Sequence, residues 1–478
     1  MAIAIGLATV ILAYGANGYG INKKGQIIQN GLLFVDSKPG GAEIYLNGKN
    51  WNATTSARLV IPAGDYTLTL KKSGYRDWQR SFTLQESSID RFVYPFLYPV
   101  KFRTTTLTNY ATQPALITES PSQRWLLIQR PDSDSKQVTF DQLDLNALSK
   151  TESQTPTQVS IPEGLLSGDD GARANLSVVE WSTDNNNVLL KHTYSGGSEY
   201  IVFNRNKPEQ SFNVNKIFNI VPDEVALFNK KVDQLYVYSQ ANQTVQLGDV
   251  SKGTLATPML KKVLAFKPYG TDLMTYITDQ NMPSGEVQAR IWNNGKTYPL
   301  YTLTAGSTYL IDAAQYSGHW YYIAGSDTDK RVNIYEDPLS DINNKSIGKA
   351  IPTLALNVLG ATKVGFSNNA RFVEVENGQS FGVFDIETKD NYQYRLDAPL
   401  AGPMTWMDGH RLIGESDGKV YVTDYDSTNQ QPLVPTTDPS GALFSSDYNH
   451  MITLQAKSDG TLNLVNVDMR AGNDLPKQ

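Results

Sequence analysis

Two segments near the start of the chain decide the fold of its first domain, PGGAEIYLNGK (39–49) and PAGDYTLTLKKSGYRDW (62–78). In both, every second residue of the central part is apolar, as in a strand with one face on a core and the other in water. Pro-Gly-Gly, Asn-Gly, Ala-Gly and Ser-Gly pairs separate these stretches and are typical of tight turns. The segments therefore predict a small antiparallel β-sandwich. The alternating apolar residues are Ala42, Ile44 and Leu46, then Tyr66, Leu68 and Leu70.

The same residues resemble the PEGA domain family. Pro39–Ala42 stands where the family has Pro-Glu-Gly-Ala, with Gly40 in place of Glu, and residues 62–75 carry Pro-Ala-Gly-x-Tyr-x-Leu-x-Leu-x-Lys-x-Gly-Tyr. The resemblance implies that residues 31–98 form an extracytoplasmic β-sandwich module of the kind found in surface-layer and envelope proteins. It brings no catalytic residue with it.

Composition limits the remaining possibilities. A chain of 478 residues is too long for one ordinary core, so we expect at least two domains. The absence of Cys excludes disulfides, thiolate metal sites and Cys nucleophiles. The net charge is −6, and no long basic cluster occurs, so a nucleic-acid partner is not expected.

The N-terminus is uncharged through Ile21, and residues 2–14, AIAIGLATVILAY, are almost wholly apolar, whereas Gly and Asn interrupt residues 15–20. We predict a membrane-anchoring helix at 1–22 and a linker at 23–30, since about 20 helical residues span a bilayer core. A cleaved signal peptide and a core element are the alternatives. Lys23 and Lys24 favour a cytoplasmic location for the downstream chain, whereas the β-rich chain and the PEGA resemblance favour the outside. We expect a single-pass membrane protein with its bulk extracytoplasmic.

Residues 99–478 contain a recurring unit of a polar turn, a strand, a loop and a second strand. Eight copies at blade-like spacing predict an all-β propeller of about eight blades, with seven blades or two stacked sandwiches as alternatives. The units resemble WD40-like and TolB-like repeats, in which a strand follows a Ser-x-Asp/Asn-x-x turn. Val100–Leu107 is the predicted closing strand, and Ser149–Ala174 a loop inserted between blades. The copies begin at Glu119, Trp181, Phe228, Phe266, Gln315, Phe366, Trp406 and Phe444.

No motif for chemistry stands out. The four histidines lie far apart, so surface or strand positions are favoured over a metal site. Three Asp-x-Asp pairs lack the remaining ligands of a calcium loop and fall at predicted turns. No nucleophile elbow or phosphate loop occurs. We therefore predict no catalytic residue, no metal and no cofactor, and the ligand-binding residues stay unassigned. The four histidines are His192, His319, His410 and His450, and the three Asp-x-Asp pairs are Asp132/Asp134, Asp327/Asp329 and Asp424/Asp426.

The sequence thus favours a non-enzymatic, membrane-anchored surface protein whose propeller binds a protein or glycan partner at the cell envelope. The first alternative is a glycan hydrolase or lyase that uses carboxylates at the propeller axis, which requires two of them about 5–10 Å apart. The second is a structural envelope component that self-associates through an open sheet edge.

Overall fold

The computed structural model describes residues 19–21, 27–133, 137–148, 154–168 and 174–475. The chain divides into two compact units, Met1–Thr104 with Val467–Gln478, and Thr105–Asn466. The described residues are mostly β-structure. Short helical segments are α1 Leu145–Leu148, α2 Val214–Phe218 and α3 Pro338–Asn343, with 3₁₀ turns at Pro208–Gln210 and Gly472–Asp474.

The first unit contains two four-stranded sheets, which confirms the predicted β-sandwich. Its strands are β1 Tyr19–Ile21, β2 Ile27–Val35, β3 Glu43–Leu46, β4 Lys49–Thr54, β5 Ala57–Pro62, β6 Gly64–Lys71, β7 Trp78–Leu84 and β8 Ile89–Phe92. In one sheet, β2 pairs with β1 and β5 in antiparallel fashion and with β8 in parallel. The other sheet has the order β4-β3-β6-β7.

Alternation along these strands builds the core of the sandwich. Ile44 of β3 lies opposite Leu70 of β6, and both side chains are fully buried. Burial of an aliphatic side chain of this size stabilises the fold by about 1.5–3 kcal/mol. Asn47 and Gly48 connect β3 to β4 with φ angles of 49° and 75°, the left-handed pair that tight hairpins use.

The N-terminal prediction falls largely outside the described residues, which begin at Tyr19. Tyr19–Ile21 form β1 rather than the end of a helix, because they pair with β2. Likewise β2 begins at Ile27, inside the predicted linker. Among the described residues, no helix is long and apolar enough to cross a membrane.

The second unit is built from eight sheets within the residues that the structure describes. Each begins as an antiparallel meander, and we number the sheets as blades 1–8 in chain order. Strand β9 is Arg103–Tyr110. Blade 1 contains β10 Ile117–Glu119, β11 Trp125–Gln129, β12 Thr139–Asp144 and β13 Thr157–Ser160. Blade 2 contains β14 Asn175–Trp181, β15 Asn187–Tyr194, β16 Gly197–Asn204 and β17 Phe212–Asn213. Blade 3 contains β18 Glu224–Phe228, β19 Lys231–Ser239, β20 Thr244–Asp249, β21 Thr254–Leu255 and β22 Leu260–Lys261.

The remaining blades follow the same plan. Blade 4 contains β23 Val263–Tyr269, β24 Leu273–Thr278, β25 Glu286–Asn293 and β26 Lys296–Thr304. Blade 5 contains β27 Tyr309–Tyr316, β28 His319–Ser326, β29 Val332–Glu336 and β30 Leu354–Leu356. Blade 6 contains β31 Lys363–Phe366, β32 Phe372–Asn377, β33 Ser380–Asp385 and β34 Asn391–Arg395. Blade 7 contains β35 Thr405–Trp406, β36 Arg411–Ser416, β37 Lys419–Asp424 and β38 Gln431–Pro435. Blade 8 contains β39 Leu443–Phe444, β40 His450–Ala456 and β41 Leu462–Asp468.

Neighbouring blades pack face to face, and the series closes on itself. Apolar clusters join each blade to the next from blade 1 to blade 7. Thr436, which follows blade 7, hydrogen-bonds Thr453 of blade 8 at 2.6 Å. A further cluster packs Ile452 and Leu454 of blade 8 against Leu126 and Ile128 of blade 1. A closed ring of four-stranded sheets is a β-propeller.

Strand β9 closes the ring because it forms the outer strand of blade 8, beside β41. The predicted closing strand, Val100–Leu107, thus lies about three residues too early. Tyr110 at the end of β9 donates a hydrogen bond to Asp141 of blade 1 at 2.9 Å. Both ends of the propeller chain therefore meet in a single blade.

Each predicted repeat begins at the first strand of a blade, near its end, so the pattern identified the turn and the two strands after it. In the turns that start at Ser120, Ser182, Ser367 and Ser445, the Ser hydroxyl accepts the N–H of the residue five positions later at 3.0–3.1 Å. Asp or Asn stands two residues after Ser182, Ser367 and Ser445, so the Ser-x-Asp/Asn-x-x motif forms a turn in which side chains satisfy backbone groups. One expectation is corrected: Thr157–Ser160, inside the predicted loop, is β13, because it pairs with β12.

Candidate ligand-binding pocket on the propeller axis

The first strand of each blade faces the axis of the ring. In a ring of sheets, the innermost strands of neighbouring sheets lie closest together. First strands of neighbouring blades do contact each other, for example β14 with β18 and β27 with β31. At this position, residues of blades 6, 7, 8 and 1 line a pocket of about 460 Å³. We call it the axial pocket. Its lining residues are Glu119, Ser120, Pro121, Gln123, Asn368, Thr405, Trp406, Met407, Ile413, Ala442, Leu443, Phe444 and Tyr448.

Glu119 supplies the acidic group of the axial pocket. It is the last residue of β10, and its Oε1 is buried without a hydrogen-bond partner among the described residues. Water reaches part of the side chain, but protein surrounds most of it, and this burial raises the pKa of Glu119 to about 8. Near neutral pH the carboxyl group is therefore mainly protonated and can both donate and accept a hydrogen bond.

Trp406 supplies a donor and an aromatic surface. Its indole ring stacks on Phe372 with the ring centroids 5.9 Å apart and the planes inclined by 18°. The indole Nε1 is buried and has no acceptor among the described residues. Phe444 and Tyr448 add a tilted ring pair at 6.1 Å, and the Tyr448 hydroxyl donates to the Met407 carbonyl at 3.4 Å. The pocket thus combines aromatic surface with a free donor.

Leaving two buried polar atoms without partners is costly, about 1–3 kcal/mol for each. A ligand that offers an acceptor to Trp406 and a donor or acceptor to Glu119 would remove that cost if the lining shifts to expose the two atoms, which have almost no exposed surface in this structure. Concave sites with aromatic walls and a few polar groups are typical of small-ligand binding. The chemistry available to the axial pocket is therefore hydrogen bonding to a polar group that packs on aromatic rings.

One feature of the sequence indicates this site, although the search for repeats did not identify it. Glu119 precedes the turn serine of blade 1, where blades 2, 6 and 8 carry Trp181, Phe366 and Phe444. A carboxylic acid thus replaces an aromatic residue at an axial position. Trp406 gave no comparable signal, because an aromatic residue is ordinary there.

The four histidines lie in different blades, as expected. His192 is buried against Glu199 at 2.9 Å, and His450 against Asn466 at 3.1 Å. His319 is exposed and contacts Asp337 at 2.6 Å. Burial lowers the pKa of His410 to about 3. Within the described part of the chain, no group of acidic and histidine side chains has the geometry of a metal site.

The carboxylate pairs also make turn contacts where they are described. Asp132 pairs with Arg130 at 3.0 Å, whereas Asp134 lies outside the described residues. Asp327 accepts the backbone N–H of Ser307, and Asp329 that of Thr304. The third pair binds Asn429 and Thr428 through Asp424 and Asp426 respectively.

Two further carboxylates lie on neighbouring first strands, Glu180 in β14 and Glu224 in β18. Glu180 is committed to the backbone N–H of Leu227 and to Lys230. Burial raises the pKa of Glu224 to about 7, an effect that Lys191 opposes and Glu180 reinforces. Asp312 lies on a further first strand, β27, so among the described residues acidic groups occur at several places along the axis.

Comparison with known proteins supports the domain assignment of the first unit directly. Residues 30–92 match the PEGA domain family. The PEGA domain thus corresponds to the sandwich described above. No match to a curated protein is found.

Several solved structures are similar to the chain over about three quarters of its length. They include the Dos1 propeller (12% identity, TM-score 0.47, 76% of this chain and 94% of that one) and a chain of the mitotic checkpoint complex (14%, 0.34, 77% and 94%). A third is KlHsv2 with loop 6CD replaced by a Gly-Ser linker (8%, 0.38, 77% and 100%). Since these TM-scores are below 0.5, the propeller assignment rests on the eight packed sheets.

Proposed function

We propose that this protein is a membrane-anchored, extracytoplasmic binding protein without catalytic activity, and that its propeller holds a neutral, hydroxyl-bearing saccharide in the axial pocket. The observation that carries the proposal is the pair of buried, unpartnered polar atoms, Glu119 Oε1 and Trp406 Nε1, in an aromatic-lined pocket. A sugar offers hydroxyl groups that donate and accept, and apolar C–H faces that pack on aromatic rings.

A protein partner is the competing ligand, with a Lys or Arg side chain inserted beside Glu119. Cations bind well over aromatic faces, and a cation would pair with the ionised carboxylate. The free indole N–H of Trp406 argues against it, because a cation offers no acceptor to this donor. The raised pKa of Glu119 also favours a neutral ligand at neutral pH.

The remaining features of the proposal come from the N-terminal part of the chain. The proposed membrane anchor is the uncharged N-terminal segment before β1, of which residues 2–14 are the most apolar part. The PEGA domain follows it in sequence and acts as a spacer, or as a contact to the wall or to neighbouring surface proteins. The resemblance of the first domain to PEGA modules supports a location of the domains outside the cytoplasm.

The hydrolase alternative needs two carboxyl groups on either side of a glycosidic bond. Among the described residues that line the axial pocket, Glu119 is the single carboxylic acid. Its raised pKa suits a general acid, but the lining supplies no second group to act as nucleophile or base. The pocket therefore favours binding over hydrolysis.

The proposal is tested by equilibrium binding of the full chain to a panel of neutral and charged envelope saccharides. We expect binding to a neutral saccharide, weakened at least tenfold by Trp406→Ala. Trp292→Ala is the matched control, because Trp292 packs against a cluster of blades 3 and 4 and does not line the pocket. Equal binding by wild type and Trp406→Ala, or no saccharide binding at all, would refute the proposed site.

A further inference from the structure

The PEGA domain exposes an apolar and basic sheet face. In the sheet around β2, Val60 and Ile89 lie on either side of Leu32. Their side chains are 60% and 55% exposed. The intervening residues of these strands, such as Leu33 and Ile61, are buried in the sandwich core. The alternation of strand side chains therefore turns Leu32, Val60 and Ile89 outward in one row.

The next row on this face is basic. Phe34 lies between Arg58 and Arg91, and their guanidinium carbons lie 5.9 and 5.0 Å from the centroid of its ring. One row further, Asp36 Oδ1 accepts hydrogen bonds from the Ser56 hydroxyl at 2.6 Å and the Ser37 N–H at 2.8 Å, so a single acidic group borders the basic row. The face thus presents apolar side chains beside two guanidinium groups.

This combination suits the surface of an anionic bilayer. Apolar side chains enter the boundary between headgroups and acyl chains, and basic groups near the surface gain about 1 kcal/mol each from anionic lipids. Arg is well matched to phosphate because its planar guanidinium donates two parallel hydrogen bonds. A single exposed Val is ordinary, whereas neighbouring exposed apolar side chains bordered by polar groups are typical of interaction sites.

The position of this sheet in the chain points to the same partner. Strand β1 begins at Tyr19 and pairs with β2 in this sheet, whereas the apolar stretch ends at Tyr14. Five residues span at most about 18 Å. A bilayer that holds residues 2–14 therefore lies within reach of the sheet.

We propose that the outward face formed by Leu32, Phe34, Arg58, Val60, Ile89 and Arg91 docks on an anionic lipid surface beside the anchor. The inference rests on the membrane attachment proposed above, and it does not depend on the axial pocket or on the side of the membrane. Docking fixes the PEGA domain against the bilayer instead of leaving it on a free tether.

The chain has no Cys, so single labelling sites are easily introduced. Val60→Cys in the full chain carries an environment-sensitive fluorophore on the proposed face. Ser81→Cys is the matched control, since Ser81 is exposed on β7 of the opposite sheet. Both proteins are reconstituted with phosphatidylcholine vesicles, with and without phosphatidylglycerol, and vesicle flotation is measured alongside emission.

We expect a blue shift of the label at position 60 that requires phosphatidylglycerol, and none at position 81. Arg58→Gln with Arg91→Gln should remove the shift while flotation persists. Flotation with identical emission at both positions would overturn the docking face and leave the anchor intact. A concentration-dependent shift without vesicles would overturn it in favour of a second copy of the chain. Absence of flotation would refute both the attachment and the docking.

Discussion

Trp181 in the first strand of blade 2 donates its indole N–H to the Thr118 hydroxyl in the first strand of blade 1, at 2.9 Å. Both residues are buried. The bond links two neighbouring blades next to the axis, where apolar packing alone leaves a polar indole N–H to be satisfied.

Replacing Thr118 by Val keeps the shape and removes the acceptor. We expect a loss of about 1–3 kcal/mol in the free energy of unfolding, because a buried donor loses its partner. Thr118→Ser, which keeps the hydroxyl, should lose less. Urea denaturation followed by fluorescence measures the difference, and a Thr118→Val protein as stable as wild type would show that the bond contributes nothing.

The turn serines carry a second prediction. Ser445 donates to Asp447 at 2.7 Å and accepts the N–H of His450 at 3.1 Å, and it is buried. Ser445→Ala should destabilise the protein by about 1–2 kcal/mol, because the turn loses both hydrogen bonds. Its exposed neighbour is the control, and Ser446→Ala should change stability by less than about 0.5 kcal/mol. Equal effects in the two variants would contradict a special role for the turn motif.

The free energy of unfolding of the propeller should depend on pH through Glu199. Burial opposes its ionisation, but hydrogen bonds from His192, Ser167 and Asn213 outweigh that effect and lower the pKa of Glu199 to about 2. A carboxyl group whose pKa is lower in the folded state stabilises the fold above the unfolded pKa near 4.5. That contribution, up to about 3 kcal/mol, is lost as the pH falls from about 5 to about 2.

Glu199→Gln should therefore be less stable than wild type at pH 7, and the difference in unfolding free energy should narrow as the pH falls from about 5 to about 2. Glu209→Gln, at an exposed position, is the control. Unfolding curves recorded between pH 2 and pH 7 test this. A gap that stays constant over the whole range would argue against an ionised Glu199 in the folded protein.

Ligand binding should depend on pH in a direction that identifies the ligand. The pKa of Glu119 is about 8. A neutral saccharide that accepts a hydrogen bond from the protonated carboxyl group therefore binds more weakly as the pH rises above 8. Burial raises the pKa of the nearby Tyr448 hydroxyl above its usual value near 10, so this group stays neutral there. Glu119→Gln should retain binding and remove the dependence. If binding instead became tighter at higher pH, and if Glu119→Gln lost binding, the ligand would be a cation.

Much of the architecture was predictable because local patterns encode it. The buried alternation around Ile44 and Leu70 and the Ser-x-Asp turns identified the sandwich and the second and third strands of the blades. First and fourth strands were harder to recognise. Several first strands are only two or three residues long, as β35 and β39 are, and β13 lies in a polar segment without apolar alternation.

The axial pocket was not predictable from the sequence. Glu119 and Trp406 belong to blades at opposite ends of the repeat series, and only closure of the ring brings both into one lining. The charge and aromatic content of the chain do not reveal which side chains face the axis. The unpartnered state of the two polar atoms is a property of packing rather than of any motif.

The most direct test of the central claim is a crystal structure of the full chain with the saccharide that binds most tightly in the panel. We predict sugar density in the axial pocket, with hydroxyl groups within hydrogen-bond distance of Glu119 Oε1 and Trp406 Nε1. Density at another site, with these two atoms still unpartnered, would contradict the proposed function.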